Sequence, residues 1–108
     1  MKKILLKKVK VILGVDSESL ELDYLQQYQQ ALLAPRESEG ATYAEMVEII
    51  PIAAKLSAAI GKDYVLLEDA EHFVLCERLQ NTKYRINSAE IFDMLENFIK
   101  APSHLVEG

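Results

Sequence analysis

Between Lys8 and Leu13 the chain alternates, with Val9, Val11 and Leu13 on one side and Lys8 and Lys10 on the other. A period of two puts successive side chains on opposite faces of a strand, so this stretch predicts a half-buried β-strand. Gly14 and the polar run Asp16 to Ser19 supply turn chemistry. Leu20, Glu21 and Leu22 then alternate again, which predicts the return strand of a hairpin.

At Asp23 the period becomes helical. Asp23 and Gln26 have capping-box spacing, in which the carboxylate accepts from backbone N–H groups that the first helical turn leaves unpaired. Leu25, Tyr28, Ala31 and Leu32 form one apolar face, Gln26, Gln27, Gln29 and Gln30 lie mostly opposite, and Pro35 stops the helix. Residues 36–41 are polar, contain Gly40, and read as an exposed loop. Thr42 and Glu45 repeat the capping spacing and open the longest helical segment, Tyr43 to Ile60, which Gly61 closes at a position suited to a left-handed cap. Pro51 cannot donate to the carbonyl of Val47, so either this helix kinks there or two short helices meet.

Tyr64 to Leu67 is a short apolar run of the kind a buried strand uses, and Asp69 is a natural N-cap for a helix over Ala70 to Gln80 with Phe73, Cys76 and Leu79 facing inward. Tyr84 to Ile86 reads as extended. Asn87 and Glu90 then open a last helix to about Lys100, with Ile91, Leu95, Phe98 and Ile99 as its stripe, flanked by Phe92 and Met94, and Pro102 beyond its end. The expected fold is α+β and mostly helical, with about four helices and a small N-terminal β-hairpin or antiparallel sheet. A single domain over residues 1–102 followed by a flexible C-terminal tail over 103–108 is the expected organisation.

A chain of 108 residues, 50% hydrophobic and 27% charged, has the size and balance of one folded domain. Charge is uneven along it. Lys2, Lys3, Lys7, Lys8 and Lys10 crowd the first ten residues, whereas all 17 acidic residues come later and bring the net charge to −5. An acidic body repels phosphate, so binding of nucleic acid would rest on the lysine-rich first strand alone, and is the alternative to protein binding. Lysines on a strand more often guard an edge against aggregation. The apolar start resembles a signal peptide, yet Lys7, Lys8 and Lys10 interrupt it, no cleavage site follows, and no apolar run is long enough for a membrane span. With one cysteine, Cys76, and hence no internal disulfide, the expected location is the cytoplasm.

No catalytic or metal-binding pattern stands out, and neither enzyme activity nor a cofactor is expected. His72 and Cys76 are four apart on one predicted helix, but a thiol–imidazole site needs an orienting group and an oxyanion donor, and zinc needs further ligands. Cys76 reads as a small core residue and His72 as its boundary. Glu68, Asp69 and Glu71 lack the spacing of a calcium loop and suit a helix start. The isolated glycines offer no phosphate loop.

What remains is the stretch from Met46 to Ile60, where Glu48 and Lys55 are the only charges and apolar residues surround nearly the whole helix. Such a helix is either buried centrally or leaves an apolar patch for a second chain. Met46, Ile50, Ala53, Ala54 and Ser57 share one side at helical spacing; with Val47 they are the candidate protein interface, for a partner protein or for self-association as a homodimer.

The order of elements also resembles small proteins encoded in the structural modules of tailed bacteriophages and prophages. The residues that carry this are the strand Lys8 to Gly14 (KVKVILG), Leu20 and Leu22, the helix end Ala31, Leu32, Leu33, the segment Tyr43-Ala-Glu-Met, and Leu66 to Leu75 (LLEDAEHFVL). The resemblance implies an assembly or morphogenesis factor acting through protein contacts, and it brings no catalytic residues.

Overall fold

Val9 and Val11 alternate with lysines, Leu20 and Leu22 alternate with polar residues, and the two stretches pair. In the structure, a computed structural model that describes residues 1–12, 19–34, 40–84 and 88–103, strands β2 (Lys8–Ile12) and β3 (Ser19–Asp23) form an antiparallel ladder with Val9 opposite Leu22 and Val11 opposite Leu20. Val11 and Leu22 are buried and Leu20 is exposed. The turn between them, with Leu13 and Gly14, lies outside the described residues.

A second ladder was not expected. Strand β1 (Lys2–Leu5) pairs antiparallel with β4 (Tyr64–Leu67), with Lys2 opposite Leu67 and Leu5 opposite Tyr64. Ile4, Val65 and Leu67 are buried on one face, and Lys3, Leu5, Tyr64 and Leu66 occupy the other. The far edge of β1 is also closed: Lys3 N–H donates to the Pro102 carbonyl at 3.1 Å, Lys2 bridges Ser103, and Asn97 Nδ2 donates to the Leu5 carbonyl at 2.9 Å. Ser103, the first residue of the expected tail, is therefore paired with the folded unit, and the rest of that expected tail, residues 104–108, lies outside the described residues.

The four helices among the described residues are α1 (Tyr24–Leu33), α2 (Tyr43–Ala58), α3 (Asp69–Asn81) and α4 (Ala89–Ile99), so the fold is α+β and mostly helical. Asp23 Oδ1 accepts from Leu25 N–H at 3.1 Å, and the predicted face Leu25, Tyr28, Ala31 and Leu32 is buried. Thr42 Oγ1 caps α2 through Glu45 N–H at 3.2 Å. This helix runs unbroken through Pro51, which is exposed together with Val47. It stops at Ala58 rather than Ile60, and Gly61 takes the left-handed conformation, φ 81°, in the turn that follows.

Two expected helix starts shift by a residue. Glu68, not Asp69, is the N-cap of α3, and its N–H donates to Glu71 Oε1 at 2.9 Å. Ser88 caps α4 through Ile91 N–H at 3.2 Å, while the expected cap Asn87 and most of the extended piece Tyr84 to Ile86 lie outside the described residues. In α4 Met94 and Phe98 form the buried line, with Ile91 and Leu95 at its margin and Phe92 exposed.

The larger correction concerns the inward face of α3. It is His72, Leu75, Arg78 and Leu79; Phe73 is 70% exposed and Cys76 is half-buried. Apolar spacing misplaced it because two polar side chains find partners inside. His72 Nε2 donates to the Phe98 carbonyl at 2.6 Å while its ring stacks on Phe98 at 5.0 Å. Arg78 Nη1 donates to the Ala34 carbonyl at 2.5 Å, and Nη2 pairs with Glu45. At the centre, Tyr28 is fully buried; its hydroxyl donates to the Met94 carbonyl at 2.8 Å and accepts from Asn97 Nδ2 at 3.1 Å. The phenol thereby joins α1 to α4, and Asn97 carries the link on to β1 through the Leu5 carbonyl.

Candidate functional site

Only one side of α2 is inside. Ile49, Ile52 and Leu56, with Ala59 beyond the helix end, are buried, so the helix is not wrapped by its neighbours. Of the candidate interface residues, Met46, Val47 and Ile50 are 47%, 57% and 54% exposed. Ala54 and Ser57 are exposed as well, whereas Ala53 turns partly against the core. Tyr43, at 83% exposure, extends the outward side by one turn and is a member that attention to aliphatic residues alone passed over.

The charges of α2 explain which side is which. Glu45 meets buried Arg78, and Lys55 Nζ meets Glu71 Oε1 at 2.5 Å, both on α3. Two of the three charged residues in α2 thus fasten it to its neighbour instead of solvating it, and Glu48 sits exposed at the flank. The outward side carries Tyr43, Met46, Val47, Ile50, Ala54 and Ser57, with no charge among them. On an ordinary surface helix the charged residues face water and the apolar ones face in.

Where α2 begins, Met46, Ile49 and Ile50 face Leu33, Ala34 and Ala41 across a cleft of about 170 Å³. Leu33 is 56% exposed there, so the apolar surface continues from α2 onto the end of α1. Small apolar depressions beside exposed aliphatic residues are the usual receptors for an anchoring side chain.

The lysines of the first strands do not form one surface. Lys2 Nζ donates to Ser103 Oγ at 3.2 Å, and Lys3 Nζ lies 4.6 Å over the ring of Tyr64. Lys7 and Lys8 instead join Lys62, Gln26 and Gln29 around a cleft of about 560 Å³ that also includes Asp23 and Asp63. Lys10 is exposed on the hairpin.

The chemical candidates are structural in their geometry. Cys76 Sγ lies 3.4 Å from His72 Nε2, but that nitrogen already donates to Phe98, and burial pushes the Cys76 thiol up to about 11, with Lys2 opposing only part of the rise. A thiol held protonated in this way is a poor nucleophile at neutral pH. Glu68 and Glu71 are engaged in the start of α3, and Asp69 lies 3.6 Å from the amino group of Met1. Among the described residues no group of three or more His, Cys, Asp or Glu side chains is arranged to hold a metal, and no helix is long and apolar enough to cross a membrane.

Comparison with protein-family models, with curated proteins and with solved structures finds no match to this chain, so its surfaces carry the functional reading.

Proposed function

We propose that this protein is a non-enzymatic protein-binding module that docks a partner on the outward side of α2. The observation that supports it is the inverted arrangement of that helix, in which Glu45 and Lys55 are engaged by α3 while Met46, Val47 and Ile50 face solvent. The partner that fits is a protein presenting an apolar helix or loop, with one side chain entering the cleft beside Leu33. The resemblance to phage structural-module proteins supports a partner among assembly components and an encounter in the host cytoplasm.

The test is affinity capture from the producing cells with the protein and with Ile50→Lys side by side. A partner retained by the protein and lost with Ile50→Lys is expected; a partner retained equally by both, or none at all, overturns the reading. Capsid or tail genes flanking the coding sequence are the expected genomic setting for the assembly role.

A second reading, binding of nucleic acid, is favoured by the cleft that gathers Lys7, Lys8 and Lys62 and opposed by the net charge of −5. Its signature is affinity that falls steeply with salt and is lost on replacing Lys7 and Lys8 with glutamine.

A further inference from the structure

Among the described residues the β1–β4 ladder leaves one edge open, and hydrogen bonding fixes which groups stand on it. Leu6 N–H donates to the Asp63 carbonyl at 2.8 Å, continuing the ladder, while Lys3 N–H turns away to Pro102. Antiparallel pairs alternate between bonded and non-bonded, so Ile4 bonds with Val65 and Lys2 with Leu67. Tyr64 and Leu66 therefore direct their backbone N–H and C=O groups away from β1, and no described residue bonds to them. Along this edge runs a cleft of about 680 Å³ whose other wall includes Ala58, Ala59 and Gly61.

The hairpin treats its comparable edge differently. Tyr24 N–H donates to the Lys7 carbonyl at 2.9 Å, and the same alternation turns the backbone groups of Lys8 and Lys10 outward on β2. Lysines on an edge oppose strand addition. The β4 edge has Tyr64 and half-buried Leu66 at the corresponding places.

We propose that a second copy of this chain pairs on the β4 edge, antiparallel about a two-fold axis at Val65, giving a four-stranded sheet in the order β1-β4-β4-β1. The axis sets Tyr64 opposite the partner's Leu66, so the outward N–H and C=O groups of both residues are paired on each copy. Tyr64 and Leu66 share the solvent face of the strand by its period of two, and Lys62 and Glu68 flank its two ends. Tyr64 packs beside the partner's Leu66 on that face, an aromatic–aliphatic cross-strand pair of the favourable kind. The antiparallel arrangement also brings Lys62, exposed before the strand and without an ion pair among the described residues, to the end of the partner strand where Glu68, exposed and capping α3, carries its charge. About its central valine the chain is thus complementary to itself at the Tyr64–Leu66 pair in shape and at the flanking Lys62 and Glu68 in charge. That self-complementarity selects a second copy over an unrelated strand. The inference stands on the β4 edge alone and is independent of the outward side of α2.

Sedimentation equilibrium of the full chain tests it. A concentration-dependent dimer is expected. Lys62→Glu sets two like-charge pairs across the axis, as does Glu68→Lys, and each alone weakens dimerisation by about tenfold. An equimolar mixture of these two variants restores it, because every pair across the axis is again of opposite sign. Leu66→Pro removes an outward N–H without touching the bonds to β1; it abolishes the dimer while circular dichroism stays that of the folded chain. Ile50→Lys leaves the dimer intact, which separates this surface from the docking side of α2. A chain that stays monomeric at millimolar concentration, a dimer indifferent to Leu66→Pro, or charge variants that fail to rescue each other overturns the proposal.

Discussion

Helices α2 and α3 both pack on α1 and are joined by two ion pairs, yet they sort their residues in opposite ways. α2 faces solvent with Met46, Val47 and Ile50, and α3 takes His72 and Arg78 inside while leaving Phe73 out. Hydrophobicity alone would have reversed several of these positions. The difference teaches that a buried polar group is tolerated where its partners are fixed, here the carbonyls of Ala34 and Phe98 and the carboxylate of Glu45. It also teaches that a helix apolar on every side is oriented by its few charges.

The Arg78 cluster is where that comparison breaks most easily. Arg78→Ala takes the guanidinium away from Glu45 beside the core and the donor from the Ala34 carbonyl, an expected loss of about 3–5 kcal/mol in denaturant unfolding. Replacing both partners, Arg78→Met with Glu45→Gln, is expected to recover much of it, since an apolar or neutral pair carries no desolvated charge.

Within α2 the two sides are expected to separate cleanly. Ile52, 1% exposed, should cost about 2–5 kcal/mol as Ile52→Ala. Ile50→Ala should change the stability of the isolated monomer by no more than about 0.5 kcal/mol, and equal losses at both sites would refute the orientation described.

Smaller effects sharpen the contrast. His72→Phe keeps a ring against Phe98 and removes the bond to its carbonyl, for an expected loss of about 1 kcal/mol. Lys55→Met breaks a pair at the margin, where solvent screens the charge, and should cost less than about 1 kcal/mol, an amount that shrinks further in high salt.

A pH dependence is expected on the alkaline side, and its sign follows from burial. Cys76 is raised from 9.0 to about 11, so in that window the unfolded chain releases the thiol proton and the folded chain holds it. Stability from this group is complete below pH 9 and is lost as pH rises toward 11. Burial raises Tyr84 as well, which adds to the same slope, so the check is that Cys76→Ser flattens the alkaline limb of a stability–pH curve without abolishing it.

Legibility in the sequence followed the distance between partners. The β2–β3 hairpin could be read because its strands are neighbours and both alternate. Strand β1 could not, because Lys2 to Leu5 has no local partner and becomes a strand only when β4 and the Pro102–Ser103 segment arrive on either side of it. The face of α1 was clear from Leu25, Tyr28, Ala31 and Leu32 against four glutamines. That of α3 was not, since Phe73, Cys76 and Leu79 make as good a stripe on paper as Leu75 and Leu79 do in the fold. Met46, Val47 and Ile50 were legible as an excess of apolar residues, and only their exposure turned that excess into a surface.

The sequence by itself determined the α+β class, the hairpin, the cap and buried face of α1, and the unusual apolar content of α2, because caps, alternation and helical periodicity act between residues a few positions apart. Tertiary structure alone decided the β1–β4 ladder, the burial of His72 and Arg78, and which side of α2 meets water. Those outcomes depend on β4 and the Pro102 carbonyl for β1, and on the carbonyl of Phe98, the carbonyl of Ala34 and the carboxylate of Glu45 for the helices, groups far away along the chain whose positions exist only once it has folded.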